Sequence, residues 1–263
     1  MPVRKSKQRP VVLSIAGFDP SSGAGITADI KTMAAHKCYG ISCITALTVQ
    51  STRGVKSVEP VEGRVITETL EELANDLDIA AIKIGMLGSA EAARAVAAFL
   101  KRHAFRHVVL DPILKSSSGA DLLEKDAMPV LKDRLLAFAS VITPNIAEAE
   151  LLTGMPVKHA DDMESATLRL HQMGAHNVII TGGHLDPPVD MVSLDPGKRT
   201  TFITGEKIVT RSSHGTGCAY STSLACNLAM GKKLVDAARA AKKYVESALK
   251  NPPVVGKGIG PIL

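Results

Sequence analysis

Six short segments of this sequence are apolar at nearly every position: Val11–Ala16, Ile44–Val49, Ala80–Met86, His107–Pro112, Val141–Pro144 and Asn177–Thr181. A strand with one wet face alternates apolar and polar residues, so strands without that alternation need cover on both faces. The stretches between them carry helical spacing. Ile26, Ile30, Met33 and Ala34 fall at i, i+4, i+7 and i+8, and Ile66, Leu70, Leu73 and Leu77 make a second stripe. Ser89 stands where an N-cap belongs, ahead of Glu91 and an alanine-rich run to His103. Further helices are predicted over Lys125–Ser140, Asp162–Met173, Thr216–Met230 and Leu234–Lys250. Strand–helix alternation along the whole chain predicts a three-layer α/β/α fold around a mostly parallel sheet. Met191–Thr204 reads as a hairpin turning at Asp195-Pro196-Gly197, an antiparallel piece at a sheet edge. No internal repeat or long linker divides the chain. Residues 1–10 are expected to form a basic flexible tail and 11–263 a single domain.

That tail decides what the charge means. The net charge is +5, but Arg4, Lys5, Lys7 and Arg9 carry four of those charges. The body is close to neutral, so no nucleic-acid or membrane partner is implied. With no Trp, three Tyr and five Phe, platforms for stacking single-stranded bases are scarce. An apolar fraction of 45% excludes intrinsic disorder. Cys38, Cys43, Cys218 and Cys226 form no Cys-x-x-Cys and have no His at zinc-finger spacing. Val11–Gly17 is too short to span a bilayer, and the basic start lacks the apolar core and cleavage site of a secretory signal. A cytoplasmic location with reduced thiols is the expectation.

The chemistry must lie in glycine turns, because the familiar nucleotide motifs are missing. The sequence has no G-x-x-x-x-G-K-[ST], no G-x-G-x-x-G after a strand and no protein-kinase signature. One turn, AGFDPSSGAG at Ala16–Gly25, joins the first strand to the first helix. Alone, it is read equally well as a plain connection. In the other, Gly215, Thr216 and Gly217 lead straight into a helix of small and apolar residues. Free N–H groups and the positive dipole end make such a start an anion site. Cys218 falls in its first turn, where the same field is expected to lower a thiol pKa. The competing reading is a small buried Cys at a helix–sheet contact.

Several segments then follow in a telling order: AGFDPSSGAGITADIKT (Ala16–Thr32), YGISCITALTVQ (Tyr39–Gln50), KIGML (Lys83–Leu87), Thr143-Pro144-Asn145 with Glu148 three residues on, GTGC (Gly215–Cys218) and GKGIGP (Gly256–Pro261). Together they resemble the hydroxymethylpyrimidine and phosphomethylpyrimidine kinases of thiamine biosynthesis, in the ribokinase-like superfamily. The resemblance runs from about Val11 to Pro261. It implies a ribokinase-like fold and ATP-dependent phosphorylation of the hydroxymethyl group of 4-amino-5-hydroxymethyl-2-methylpyrimidine. In many members the monophosphate is phosphorylated in turn. Mg²⁺ accompanies ATP, the partners are small molecules, and a homodimer is in keeping with a family whose members are often dimeric.

Residue by residue, the resemblance implies that the Gly215, Thr216 and Gly217 amides hold the transferring phosphoryl group and that Cys218 is the catalytic base. Asn145 and Glu148 match positions that organise Mg²⁺ and its waters, with Asp111 a second acid in the metal and phosphate shell. Gly17, Asp29, Gln50 and Met86 match positions around the pyrimidine, whose donor amine beside ring-nitrogen acceptors suits a carboxylate or carboxamide while Met packs on the ring. Gln50 also ends an apolar strand, where ligands of open α/β sheets collect, whereas a solvated polar face is the plainer reading of Asp29. Thr181, Gly183 and Lys242 match the nucleotide and phosphate end. The chain departs from the family at Thr181-Gly182-Gly183-His184, where Lys-Gly-Gly-His is usual, and at PILKSSSGADLL, where Lys115 and serines replace a Met and a later Lys. A pyridoxine or pyridoxal kinase of the same superfamily is the nearest alternative, and a catalytically silent pyrimidine-binding protein a further one.

Overall fold

The computed structural model describes residues 9–116, 119–194 and 200–263. Most of the expected basic tail and the Asp195-Pro196-Gly197 turn lie outside them. The chain runs β1 (Val11–Phe18), α1 (Gly25–Ala35), β2 (Tyr39–Ser51), β3 (Gly54–Pro60), α2 (Gly63–Asp76), β4 (Ile79–Ile84), α3 (Ala90–Arg102), β5 (Val108–Leu110), α4 (Ala127–Val130), α5 (Leu136–Phe138), β6 (Val141–Ile142), α6 (Ile146–Thr153), α7 (Ala160–Gln172), β7 (Asn177–Ile180), β8 (Val189–Leu194), β9 (Thr200–Thr204), β10 (Ser212–His214), α8 (Thr216–Ala229), α9 (Leu234–Lys250) and β11 (Gly260–Pro261). Nine strands form one sheet in the order β3-β2-β1-β4-β5-β6-β7-β8-β9. Every pairing from β2 through β7 is parallel, while β3, β8 and β9 join antiparallel at the two edges.

The strands lack polar alternation because both faces are covered. Leu13, Ile15, Ile82, Ile84, Val108, Leu110, Val178 and Ile180 point into one core with α2, α3 and α7. Their neighbours Val12, Ala81, Val109 and Ile179 point into a second core with α8 and α9. This is the three-layer arrangement expected from sequence, and the 191–204 segment does form the antiparallel pair β8–β9. Ser89 caps α3 by accepting from Ala92 N–H, also as expected.

Three local features depart from the reading of the sequence. The β2 strand begins at Tyr39, five residues early, and folds back on β3, which was not anticipated. The predicted 125–140 helix breaks into α4 and α5 around a π-turn over Leu131–Leu135, which brings Leu131, Leu135 and Leu136 into the core together. Between β6 and α7 lies α6, opened by a reciprocal capping box of Asn145 and Glu148.

The sheet's second face is not uniformly apolar. In β1 and β4 the residues after Val12 and Ala81 on that face are Ser14 and Lys83, which are directly paired. Asp111 follows Val109 in the same alternation, just past β5. A buried polar row therefore runs beneath the start of α8.

Candidate active site

A cavity of about 510 Å³ opens where the parallel strands end, with Gly17, Gln50, Met86, Asp111, Thr143 and Thr181 each at or just beyond a strand's carboxyl end. This is where open α/β sheets bind ligands.

Two glycine turns meet at its edge. Asp19 is buried and organises the first, its carboxylate accepting from the Ser21, Gly23 and Ala24 N–H groups at 2.8, 3.2 and 2.9 Å and from the Ser21 hydroxyl at 2.7 Å. His214 Nε2 approaches the same carboxylate at 2.8 Å. Burial pulls the Asp19 pKa upward, but the His214 and Ser21 hydrogen bonds outweigh it and hold the carboxyl below its usual range. In the second turn Gly215 has φ of 85°, and a Cβ there would stand 1.8 Å from Gly23 O. Only glycine permits this approach. No side chain caps α8, so its first-turn amides face the cavity without an internal partner.

Cys218 lines the cavity but is 5% exposed, and the structure corrects the expectation of a lowered pKa. Burial pushes the thiol up to about 12, against the pull of Lys83 and a hydrogen bond from Gly25 N–H. At neutral pH it rests as a thiol. Desolvation of the thiolate outweighs the helix field here.

Opposite the amides stand two acids. Burial raises Asp111 to about 6, although Lys83 and a 2.8 Å hydrogen bond from Ser221 favour its charged form. Glu148 is raised to about 8 by burial and then by Asp111, although its carboxylate accepts from the Asn145 and Leu114 N–H groups. Two buried, mutually repelling carboxylates beside an anion site suit a cation between them. No group of three or more His, Cys, Asp or Glu forms a closed cage among the described residues. That donor set suits an ion that keeps much of its water, as Mg²⁺ does.

At the other end, Gly17 packs on Met86, whose Sδ would lie 2.9 Å from a Cβ on Gly17. Gln50 and Thr48 complete this apolar slot with two hydrogen-bonding groups. Near the Thr181 end the buried Tyr220 hydroxyl has no partner among the described residues.

All but three of the residues expected at the site line this cavity. Asp29 does not: it lies on the sheet side of α1, fully buried, with its carboxylate taken by Ser14 Oγ at 2.5 Å, Thr222 Oγ1 at 2.7 Å and Lys83 Nζ at 2.9 and 3.1 Å. Lys242 does not: its ammonium pairs with buried Asp190 at 3.0 Å. Gly183 lies outside the lining as well. Conversely, the reading of the sequence passed over Asp19, Lys83 and His214. Lys83 carried a visible signal, a lone charge inside an otherwise apolar strand.

Parallel strands ending at one cavity, with an uncapped glycine-started helix and two acids at it, are the arrangement of a ribokinase-like small-molecule kinase. Solved structures agree. A phosphomethylpyrimidine kinase from Clostridium difficile superposes with a TM-score of 0.81 at 35% identity, covering 92% of this chain and all of that one. An ADP complex of Bacillus subtilis pyridoxal kinase gives 0.87 at 31%, covering 97% and 96%. The family model described as phosphomethylpyrimidine kinase matches residues 19–263, and the chain belongs to that family. A hydroxymethylpyrimidine/phosphomethylpyrimidine kinase of Haemophilus influenzae is 42% identical over 95% of this chain and 94% of its own. A thiamine biosynthesis bifunctional protein of Geobacter sulfurreducens is 39% identical over 97% of this chain, which spans about half, 52%, of that protein's length.

Proposed function

We propose that this kinase transfers the γ-phosphoryl group of ATP to the hydroxymethyl group of 4-amino-5-hydroxymethyl-2-methylpyrimidine, and then to the resulting monophosphate, in thiamine biosynthesis. The observation that carries the reading is that one cavity joins the Gln50–Met86 slot to the Gly215–Cys218 amides. In the slot, a flat ring would lie against the Met86 thioether, which Gly17 backs from behind, and Gln50 would meet its polar edge. The ring's hydroxymethyl group would then reach toward the start of α8, where backbone N–H groups stabilise the charge of the transferring phosphoryl.

Asp111, Glu148 and Asn145 would hold Mg²⁺, which when bound neutralises phosphate charge and draws both acids into their ionised forms. The Tyr220 hydroxyl is a donor awaiting an oxygen of the nucleotide. Cys218, a thiol at rest, would take the alcohol proton while passing its own to an oxygen of the transferred phosphoryl. In a loose phosphoryl-transfer transition state the alcohol proton leaves late, so a relay of this kind suffices. Thr181 and Gly183 would line the nucleotide's path, with Lys242 behind them. Asp29 would act from beneath, through its pairing with Lys83.

The expected setting is the cytoplasm, in keeping with four free cysteines. No helix among the described residues is long and apolar enough to cross a membrane. Residues 11–263 would act as one domain. A homodimer is expected, in keeping with the family. The test is mass spectrometry of products from the pyrimidine alcohol with excess ATP and Mg²⁺. Monophosphate followed by pyrophosphate is expected. The close match to pyridoxal kinases favours one rival, so pyridoxal is assayed in parallel. Faster turnover of pyridoxal would give that reading precedence.

A further inference from the structure

The Gln50 carboxamide sits between two groups that leave it no choice of orientation. One end lies 3.1 Å from His214 Nε2, the other 3.1 Å from Thr48 Oγ1. The ends of a carboxamide are assigned by their partners. With its nitrogen toward His214, His214 Nε2 would have to be a bare acceptor, yet it also faces Asp19 Oδ2 at 2.8 Å. Asp19 accepts three backbone N–H groups and a hydroxyl, so it is an ionised carboxylate with no proton to offer. Two lone pairs would then oppose each other. Thr48 would also have to share its one proton between Gln50 and Phe18 O, which lies closer at 2.9 Å.

With the amide turned, no two lone pairs oppose each other. His214 Nε2–H donates chiefly to Asp19 and, more weakly, shares its proton with the Gln50 oxygen, Thr48 donates to Phe18 O, and the Gln50 nitrogen donates to Thr48 Oγ1. The ionised Asp19 carboxylate on His214 Nε2 decides between the two orientations.

We infer that Asp19 and His214 are positioning residues that fix the Gln50 amide with its oxygen on the His214 side and its nitrogen on the Thr48 side, and so select which way round an aminopyrimidine binds. The inference deepens the proposed function and rests on its assignment of Gln50 to the ring. The ring presents an exocyclic amine next to a ring nitrogen, with the hydroxymethyl carbon on the amine's other flank. An amide held this way takes the amine on its oxygen and the ring nitrogen on its NH₂. The hydroxymethyl group therefore lies on the His214 side, toward Gly215 and the start of α8. The opposite amide orientation would turn the alcohol away from that helix. A hydroxypyridine has no ring nitrogen beside its donor-bearing carbon and meets only one end of the amide, so the same device favours the aminopyrimidine.

The first test is a ¹⁵N-histidine long-range NMR correlation on the unliganded protein. A proton on His214 Nε2 is expected. A neutral His214 protonated only at Nδ1 overturns the inference, whatever the enzyme phosphorylates. The second is a cycle of His214→Phe and Gln50→Ala, read as KM for the pyrimidine alcohol and for ATP. His214→Phe should raise the alcohol KM about tenfold, leave the ATP KM within about twofold, and add nothing in the Gln50→Ala background. His214→Gln, which restores an N–H donor, should recover most of the loss. Additive effects, or equal rises in both KM values, refute the pairing. A wild type that ignores the pyrimidine alcohol refutes the proposed function instead, and the tautomer then decides the inference alone.

Discussion

Replacing Glu148 with Gln should stabilise the unliganded protein while damaging the enzyme. The carboxyl moves from 4.5 to about 8 on folding, chiefly by burial and then by the nearby Asp111 charge. At about 1.4 kcal/mol for each pH unit, holding it ionised costs the fold on the order of 4–5 kcal/mol. Gln keeps the shape and an acceptor oxygen for the helix cap, and loses at most one of the two backbone hydrogen bonds, about 1–2 kcal/mol. A net gain of about 2–4 kcal/mol is expected. Between pH 4.5 and 8 the folded chain keeps a proton on Glu148 that the unfolded chain has released, so the Glu148 contribution to wild-type stability falls as pH rises across that window and stays low above it. Urea unfolding with a chelator and no nucleotide, at pH 5 and pH 8.5, reads this directly. The variant should be clearly more stable at pH 8.5 and nearly equal to wild type at pH 5, with turnover reduced at both. A difference that does not change with pH, or a wild type more stable at pH 8.5, would refute the reasoning. Strain of this kind at a site is relieved by the ligand it awaits.

Cys218→Ala should lower kcat by about 10²–10³-fold with the ATP KM within about twofold, and the resting wild-type thiol should resist iodoacetamide at pH 8; rapid alkylation would show a thiolate and contradict its burial. Gln50→Leu should raise the KM for the pyrimidine alcohol by an amount equivalent to about 1–3 kcal/mol, seen in steady-state kinetics, without a matching change for ATP. Lys83→Met should cost about 3–5 kcal/mol in denaturant unfolding by leaving Asp29 buried and unpaired, and adding Asp29→Asn should recover much of it. Thr181→Lys should tighten ATP binding and speed the second phosphorylation more than the first, measured as paired kinetics on alcohol and monophosphate across a Mg²⁺ titration.

The layer architecture was legible because burial on both faces leaves its mark in composition: strands such as Val108–Leu110 admit no polar residue. The β3 strand was not, because its partly exposed residues Lys56, Ser57 and Glu59 carry no strong pattern and its pairing to β2 is set by the turn between them. The Gly215 turn was read as an anion site from its glycines and bare helix start, but its contact with Gly23, which only glycine tolerates, was not visible in the sequence. What could not be read was which charges the fold would bury. Asp29 has helical spacing equally suited to water or sheet, and only the pairing of Ser14 with Lys83 beneath α1 decides it. The Cys218 pKa depends in the same way on desolvation, which exists only once α8 is packed.

Charge placement also revises where the nucleotide finds its cations. Each of the three lysines nearest the argument already has an aspartate. Lys83 is fully buried against Asp29, and Lys242 is almost as enclosed against Asp190. Drawing either away would strand a buried carboxylate, at about 3–5 kcal/mol. Lys115 pairs with Asp121 at 3.2 Å, but both side chains are more than half exposed. Such a pair is worth about 1 kcal/mol or less, so phosphate can take that ammonium at little cost. The resemblance pointed to Lys242, whose ammonium the geometry shows to be held by Asp190. Lys115 also lines the cavity beside Ile113 and Leu114. We propose that Lys115 supplies the cation absent at Thr181, since its pair alone opens at little cost.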